Sequence, residues 1–294
     1  MFANFKTNRR YLNQCYLAVI GVLAAADGLL GFFQAPDWQS LALFAPAFLL
    51  LAVPNLYLAA GAFFYAALAA AWRADFDPAY LAGIPAAVVA TFTATALLHN
   101  ASHSSVRPRW LRRGLGELMA LWQLVGFPDW TVAHILHHTH ADDPVLDPHP
   151  PMDKSYWAFL LGMRQTVSAV LANYYFGLWG ENAESLRNLR ELGWEVKAAT
   201  FLKAVFWYLL LGPQLFTFFF VFSVPFKMAH YAWFNYATHV HSEDGTLIVN
   251  LDRGFYRFIN FVSFGLYYHR NHHLRPDLFN PGKFPPTQRE REFA

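Results

Sequence analysis

The sequence predicts an all-α fold, an integral membrane helical protein of about six transmembrane spans, with about four as the alternative count, and a cytoplasmic helical cap. Three observations predict it. The chain of 294 residues is 55% hydrophobic and 14% charged, against about 25% charged in an ordinary soluble domain. Its apolar residues fall in runs of the length a bilayer requires, roughly 20 residues each. Its arginines and lysines gather in the segments that this topology places on one side. Composition also narrows the function. Cys15 is the single cysteine, which excludes an internal disulfide, a CxxC redox pair and a cysteine-ligated iron–sulfur cluster. A net charge of +2 without a long basic stripe argues against nucleic acid as a partner.

The elements follow in order. The start, MFANFKTNRRYLNQ, is basic and precedes an apolar run without a small-residue cleavage site, so a retained first span over 17–33 is expected rather than a signal peptide. The run over 41–72 is too long for one span and holds Pro54-Asn55 near its middle, where proline breaks a helix, so a hairpin of two spans is expected. Residues 80–98 form one more span, ending on His99. Residues 99–198 are less apolar yet carry aromatics throughout (Tyr156-Trp157, Tyr174-Tyr175-Phe176, Trp179), as helices packed at a membrane face would. The run over 199–236 again exceeds one span and contains Gly212-Pro213-Gln214, a second hairpin turn.

With Lys6, Arg9 and Arg10 inside by the positive-inside rule, four crossings return His99 to the cytoplasmic side, and two more keep 237–294 there. Only Arg73 falls in an outer loop. If 41–72 is instead one tilted span, the N-terminus and the His99 region lie on opposite sides. Residues 1–294 read as a single domain, without an internal repeat, ending in a loose tail, FNPGKFPPTQREREFA.

The thirteen histidines are clustered. His99 and His103 form HNASH; His134, His137 and His138 form HILHH within HILHHTHADDP; His269, His272 and His273 form HRNHH. Residues at i, i+3 and i+4 share a helix face, so each cluster aims its imidazoles at one point. His239 lies four residues after Asn235 in NYATH, expected on one helical face. The topology puts all four groups on the cytoplasmic side. Imidazole suits iron, zinc, copper and nickel. These nine histidines exceed what one ion takes and suit a His-rich di-metal site with four or five nitrogens per ion. The Glu-x-x-His pairs of soluble di-iron bundles and the HExxH of zinc proteases are both missing. Taken singly, HNASH is weak, since helix ends at membranes often carry polar residues; the three boxes together are specific.

The order HxxxH, HxxHH, HxxHH resembles the signature of the membrane fatty acid desaturase and hydroxylase superfamily, most strongly over residues 80–280. NYATHVHSED at 235–244 is similar to the Asn-x-x-x-His element of acyl-CoA desaturases, and HHTHADDPVLDP resembles the His-rich stretch of bacterial members and carotenoid ketolases. The resemblance implies two iron ions as cofactors and O2 as co-substrate. By analogy with acyl-CoA desaturases it assigns His99, His103, His134, His138 and His273 to one iron. His137, His239, His269 and His272 go to the other, with Asn235 reaching it through a water. The first box has three intervening residues where acyl-CoA desaturases have four, which loosens the transfer of their substrate.

Metal-bound imidazoles need a partner on the other ring nitrogen. His140, Asp142, Asp143, Asp147 and His241 are candidates, against the alternative of a solvated, turn-rich loop for the aspartates. His149, between prolines, is expected not to be a ligand, and His230, nine residues before His239, is expected to face away as a packing histidine.

The implied reaction is O2-dependent oxidation of an unactivated C–H bond in a lipid-like substrate, with fatty acyl desaturation as the leading reading. Hydroxylases, ketolases and terminal-alkene-forming enzymes of the same superfamily are the alternatives. GLGELMA at 114–120 follows no strand and is not a dinucleotide fingerprint. Electrons are therefore expected from a ferredoxin, a rubredoxin or a cytochrome with its reductase. Arg107, Arg109, Arg112 and Arg113 are candidates for docking that donor or a carrier's phosphates, against the reading that they mark topology alone. The expected location is a bacterial inner membrane, in contact with membrane lipid, with the histidines facing the cytoplasm. Two other classes would leave different patterns. A histidine-lined metal transporter would place its ligands at mid-membrane with acidic partners, and these runs are nearly free of Asp and Glu. A bis-histidine haem protein would use single histidines on facing spans.

Overall fold

An apolar run with no charge, GIPAAVVATFTATALLHNAS, forms helix α1 (Gly83–Ser102). It continues from a 3-10 turn, Pro78–Ala82, where Asp77 accepts from the Ala79 N–H at 2.8 Å and Pro78 sits at a position that needs no donor. The computed structural model describes residues 77–284 apart from 104, 152, 222 and 243–244. Among the described residues one helix, Pro78–Ser102, with a mean hydropathy of 1.9, is long and apolar enough to cross a membrane. It coincides with the span expected over 80–98. The spans expected over 17–33 and 41–72 lie outside the described residues. The pair expected within 199–236 is helical, with Gly212 outside helical geometry, but among the described residues it gives no element that meets the same standard.

The helices that follow are α2 (Arg109–Gln123), α3 (Phe127–Thr139), α4 (Tyr156–Trp179), α5 (Ala183–Leu215), α6 (Ser223–Thr238), α7 (Phe255–Val262) and α8 (His269–Leu274). A π-helical segment, Phe216–Val221, precedes α6. The regular structure of the described residues is predominantly helical, as the sequence predicts. The exception is an antiparallel hairpin of β1 (His239–Ser242) and β2 (Gly245–Ile248), in which His239 pairs with Ile248. This corrects one expectation. Asn235 is helical, but His239 is the first strand residue, because the chain leaves the helix after Thr238 and the Thr238 carbonyl accepts from the Val249 N–H at 2.9 Å.

The chain divides into two compact units, residues 1–88 with 181–226 and residues 89–180 with 227–294. In the first, Gly212 takes φ 71° and ψ 169°, which ends helical geometry where Gly212-Pro213-Gln214 predicted a break. Gln214 Oε1 accepts the Asp77 N–H at 3.2 Å, and Tyr208 meets Phe216 edge-on at 5.5 Å.

The second unit has three apolar clusters. Leu98 and Ala101 of α1 pack with Ala120 of α2 and Phe127 of α3. Gly116 allows this: a Cβ there would collide with the Phe127 ring. Ala96 packs with Phe234, Ile259, Leu266 and Tyr267. Phe159 and Met163 pack with Ala232. These clusters anchor the C-terminal half of α1, the start of α3, the end of α6 and the residues just before α8.

Candidate metal centre

The site lies wholly within the second unit. Each helix end that carries a histidine is tied down locally. At the end of α1 the Ser102 hydroxyl donates to the His99 carbonyl at 2.6 Å, and Arg112 Nη1 donates to the His103 carbonyl at 3.2 Å. α3 closes with the Thr139 hydroxyl on the Ile135 carbonyl at 2.9 Å and the His140 N–H on the Leu136 carbonyl at 2.9 Å. α8 has only six residues and cannot hold itself. Asparagines hold it: Asn250 Nδ2 donates to Asn271 Oδ1 at 2.9 Å, and Asn250 Oδ1 accepts the Asn271 N–H at 3.2 Å. Asn271 Nδ2 donates to the Pro281 carbonyl at 3.2 Å, and Asn260 Oδ1 accepts the Tyr267 N–H at 2.9 Å.

The nine histidines expected to converge do so, in two groups. His99, His103, His134, His138 and His272 form the first; His137, His239, His269 and His273 form the second. Within each group one nitrogen per residue lies within 4.8 Å of every other. His138 and His273, one from each group, have ring centroids 4.2 Å apart, so the groups adjoin. The partition differs from the one the resemblance implied: His272 and His273 change places. The reason is helix geometry. Positions four apart lie closer on a helix face than positions three apart when both must meet one point. His269 and His273 have centroids 4.5 Å apart, against 6.1 Å for His269 and His272. HILHH follows the same rule, with His134 and His138 in one group and His137 in the other. Each HxxHH box thus gives its outer pair to one group and its fourth residue to the other.

The residues fit metal ions. His134 Nε2 lies 2.7 Å from His103 Nε2 and 3.1 Å from His138 Nε2; His138 Nε2 lies 2.9 Å from His272 Nε2. In the second group His269 Nε2 is 3.0 Å from His239 Nε2 and 3.1 Å from His273 Nε2. Two nitrogens at right angles on an ion, each at about 2.1 Å, stand about 3.0 Å apart. His99 Nε2 and His137 Nε2 are buried with no hydrogen-bond partner among the described residues. A buried nitrogen of this kind is costly unless something takes its lone pair.

The imidazoles are also kept neutral, as metal ligands must be. Burial lowers His103 to about 4. Burial, then the charges of neighbouring histidines, lowers His273 to about 2 and holds His134, His138, His269 and His272 well below the ordinary histidine value.

Of the expected outer partners, two aspartates reach ligands. Asp147 Oδ1 is 2.9 Å from His137 Nδ1, and Asp142 Oδ2 is 3.0 Å from His239 Nδ1. Burial raises the Asp147 carboxyl, but the His137 contact and two backbone N–H groups outweigh it and the net shift is downward. These two are therefore not part of a solvated turn. Asp143 is: its Oδ1 accepts the Val145 and Leu146 N–H groups at 2.8 and 2.9 Å. His140 is half-buried at the end of α3 and joins neither group. The side chain of His241 lies outside what the structure describes. Asn235 is 2% exposed, and its Nδ2 donates to the Tyr231 carbonyl at 2.9 Å, which leaves Oδ1 as its acceptor.

His149 joins neither group, as expected, but it is not a loop-surface residue. It is 5% exposed, its Nε2 lies 2.7 Å from the Tyr231 hydroxyl, and its ring is 6.2 Å from that of His137. His230 also joins neither group and meets Phe92 edge-on at 4.0 Å. Sequence reasoning missed Tyr231, Asn250, Asn260 and Asn271. The only local signal was Asn271 inside HRNHH, a buried polar residue within a box.

A helical protein with two adjoining, enclosed groups of neutral imidazoles is of the histidine-box, di-metal type. The particular family is the fatty acid desaturases, to which this chain belongs: the fatty acid desaturase family model matches residues 78–280, which spans both HxxHH boxes and HNASH. No curated relative and no solved structure matches the chain. The family and the two histidine groups fit a di-metal oxidoreductase of the desaturase and hydroxylase superfamily. The family is typically membrane-bound, in keeping with the one apolar helix at 78–102.

Proposed function

We propose that the protein is a membrane-bound di-iron oxidoreductase that uses O2 to desaturate a fatty acyl chain. One observation carries the reading: five and four imidazoles, six of the nine buried and three half-buried, stand in two adjoining groups inside a chain of the fatty acid desaturase family. Two iron ions held there supply reduction of O2 by external electrons and removal of hydrogen from an unactivated C–H bond. The overall change balances as R–CH2–CH2–R′ + O2 + 2e− + 2H+ giving R–CH=CH–R′ + 2H2O.

The chain's own residues do the rest. His99, His103, His134, His138 and His272 hold one ion, and His137, His239, His269 and His273 hold the other, with Asn235 one turn before His239 as a polar neighbour of that second ion. Asp147 and Asp142 fix which ring nitrogen of His137 and His239 carries the proton, so that Nε2 faces the ion. Burial excludes bulk water from the groups. No side chain has to act as a nucleophile or a general base; the position of the acyl chain decides which carbons react.

The substrate is lipid-like because the chain is apolar and its family acts on such molecules. Electrons come from a separate acidic redox protein that docks at the exposed Arg107 and Arg109, since Arg112 and Arg113 are engaged with the His103 carbonyl and with Glu117. The enzyme sits in a bacterial inner membrane with its histidines at the cytoplasmic face.

The test uses the full chain, loaded with iron in lipid nanodiscs, supplied with O2, a ferredoxin with its reductase, and acyl-CoA or acyl carrier protein substrates. Mass spectrometry of the recovered chains reads the outcome. The proposal expects a product that has lost one H2, dependent on O2 and on electrons. A product that has instead gained one oxygen atom, or no conversion of any acyl chain, overturns it.

A further inference from the structure

The two halves of the site are unequal, and one loop makes them so. Residues 139–150, THADDPVLDPHP, run from the end of α3 and fold back against the second histidine group. Asp147 is fully buried; its Oδ1 faces His137 Nδ1 at 2.9 Å and also accepts the His149 N–H at 2.8 Å. Its Oδ2 accepts the Asp142 N–H at 2.6 Å. Asp142 in turn places Oδ2 3.0 Å from His239 Nδ1. To do this Asp142 holds φ at +64°, a backbone conformation that side-chain-bearing residues rarely adopt. The two carboxylates are thus wired together, and both end on ligands of one group, from α3 and from the start of β1.

The first group has nothing equivalent. Among the described residues the histidine–carboxylate pairs are those of His137 and His239 alone. His272 Nδ1 in the first group, like His269 Nδ1 in the second, is buried without a hydrogen-bond partner among them, so the contrast rests on the carboxylates of His137 and His239. A carboxylate on the far nitrogen raises the donor strength of an imidazole and adds negative charge near the ion. We infer that Asp142 and Asp147 are positioning residues for the second ion only, so that the two ions differ in electronic environment and can be lost separately. This rests on the di-iron reading above. It names which residues distinguish the two ions and what they do.

The experiment loads full-length protein in detergent with 57Fe and measures iron per chain and the Mössbauer spectrum. Wild type, Asp147→Asn, Asp142→Asn and Asp143→Asn are compared at limiting free iron, with circular dichroism on each. Loss of an outer-sphere carboxylate weakens metal binding by about 10–100-fold. Asp147→Asn and Asp142→Asn are therefore expected to keep one ion and lose one set of Mössbauer lines while the other set is unchanged. Asp143→Asn, whose carboxylate serves only the loop backbone, is expected to match wild type. The surviving ion also reports that the variant is folded. Should Asp147→Asn fail to fold, the less buried Asp142→Asn decides alone. Loss of both ions together from a folded variant, retention of both, or the same loss in Asp143→Asn overturns the inference. A wild-type protein that never holds two ions would instead overturn the functional reading itself.

Discussion

Acidification of the metal-free protein gives a prediction whose size follows from the burial of the histidines. His134 is 5% exposed, and His269 and His272 are 0% exposed. All three are held well below the ordinary histidine value, first by burial and then by neighbouring histidines. In the unfolded chain they return to about 6.5. Above that value both states are neutral and nothing is lost. Below it the unfolded chain takes up protons that the folded chain refuses, so stability falls as pH falls. At pH 5.5 each such histidine disfavours folding by about 1.4 kcal/mol. The three together remove about 4 kcal/mol, which approaches the lower end of the stability of a whole domain. That corresponds to a fall in Tm of roughly 10 °C for a chain of this size. The assay is thermal unfolding of the chelator-treated protein in detergent at pH 7.5, 6.5 and 5.5 at constant ionic strength. A Tm that stays level across that range, or rises on acidification, refutes the claim that these imidazoles are packed neutral against one another.

Other perturbations separate the scaffold from the site. Leu98→Ala opens a cavity in the cluster of Ala101, Ala120 and Phe127 and lowers stability by about 2–5 kcal/mol; a denaturation curve reads it, and iron content at saturation stays that of wild type. Asn271→Ala removes the bonds to Asn250 and to the Pro281 carbonyl, a loss of about 1–3 kcal/mol, and loosens α8. Because His272 and His273 serve different groups, this variant weakens both ions equally in a metal titration, unlike Asp147→Asn. His230→Phe removes two buried ring nitrogens that have no hydrogen-bond partner among the described residues. It is expected to leave metal content unchanged and stability unchanged or higher by about 1 kcal/mol; a lower iron content in this variant would place His230 in the site.

Much of the site was legible in the sequence because helix periodicity is local. The spacing within HNASH, HILHH and HRNHH already puts each set of imidazoles on one face, and the structure brings these eight together with His239. What periodicity cannot supply is the rotation of each helix about its own axis. For α8 that rotation is set by Asn250, Asn260 and Pro281; the sharing of His272 and His273 came from the resemblance, whereas the i, i+4 spacing of His269 and His273 agrees with the groups the structure shows. The aspartates of ADDPVLDP looked like turn residues, and one of them, Asp143, is. Asp142 and Asp147 differ only because the folded loop delivers them to His239 and His137, and a pairing across 97 residues, as for Asp142 and His239, leaves no local trace. The prolines flanking His149 suggest an exposed loop, although the same loop buries it against Tyr231. At the level of the fold, the helical class and the span at 80–98 were readable from the absence of charge. The later apolar run is expected to turn at Gly212-Pro213-Gln214, and the chain does leave helical geometry at Gly212, but no described helix of that run is apolar enough to match the one at 78–102.

The central claim is that two histidine groups hold two metal ions. The most direct test is iron per chain in protein purified from iron-supplemented cells, measured by elemental analysis beside a variant with His137→Ala and His138→Ala, which removes one ligand from each group. The account predicts about two irons per wild-type chain, as two imidazole groups require, and a clear loss in the variant. One ion or none in the wild type, or an iron content indifferent to the two changes, would contradict it.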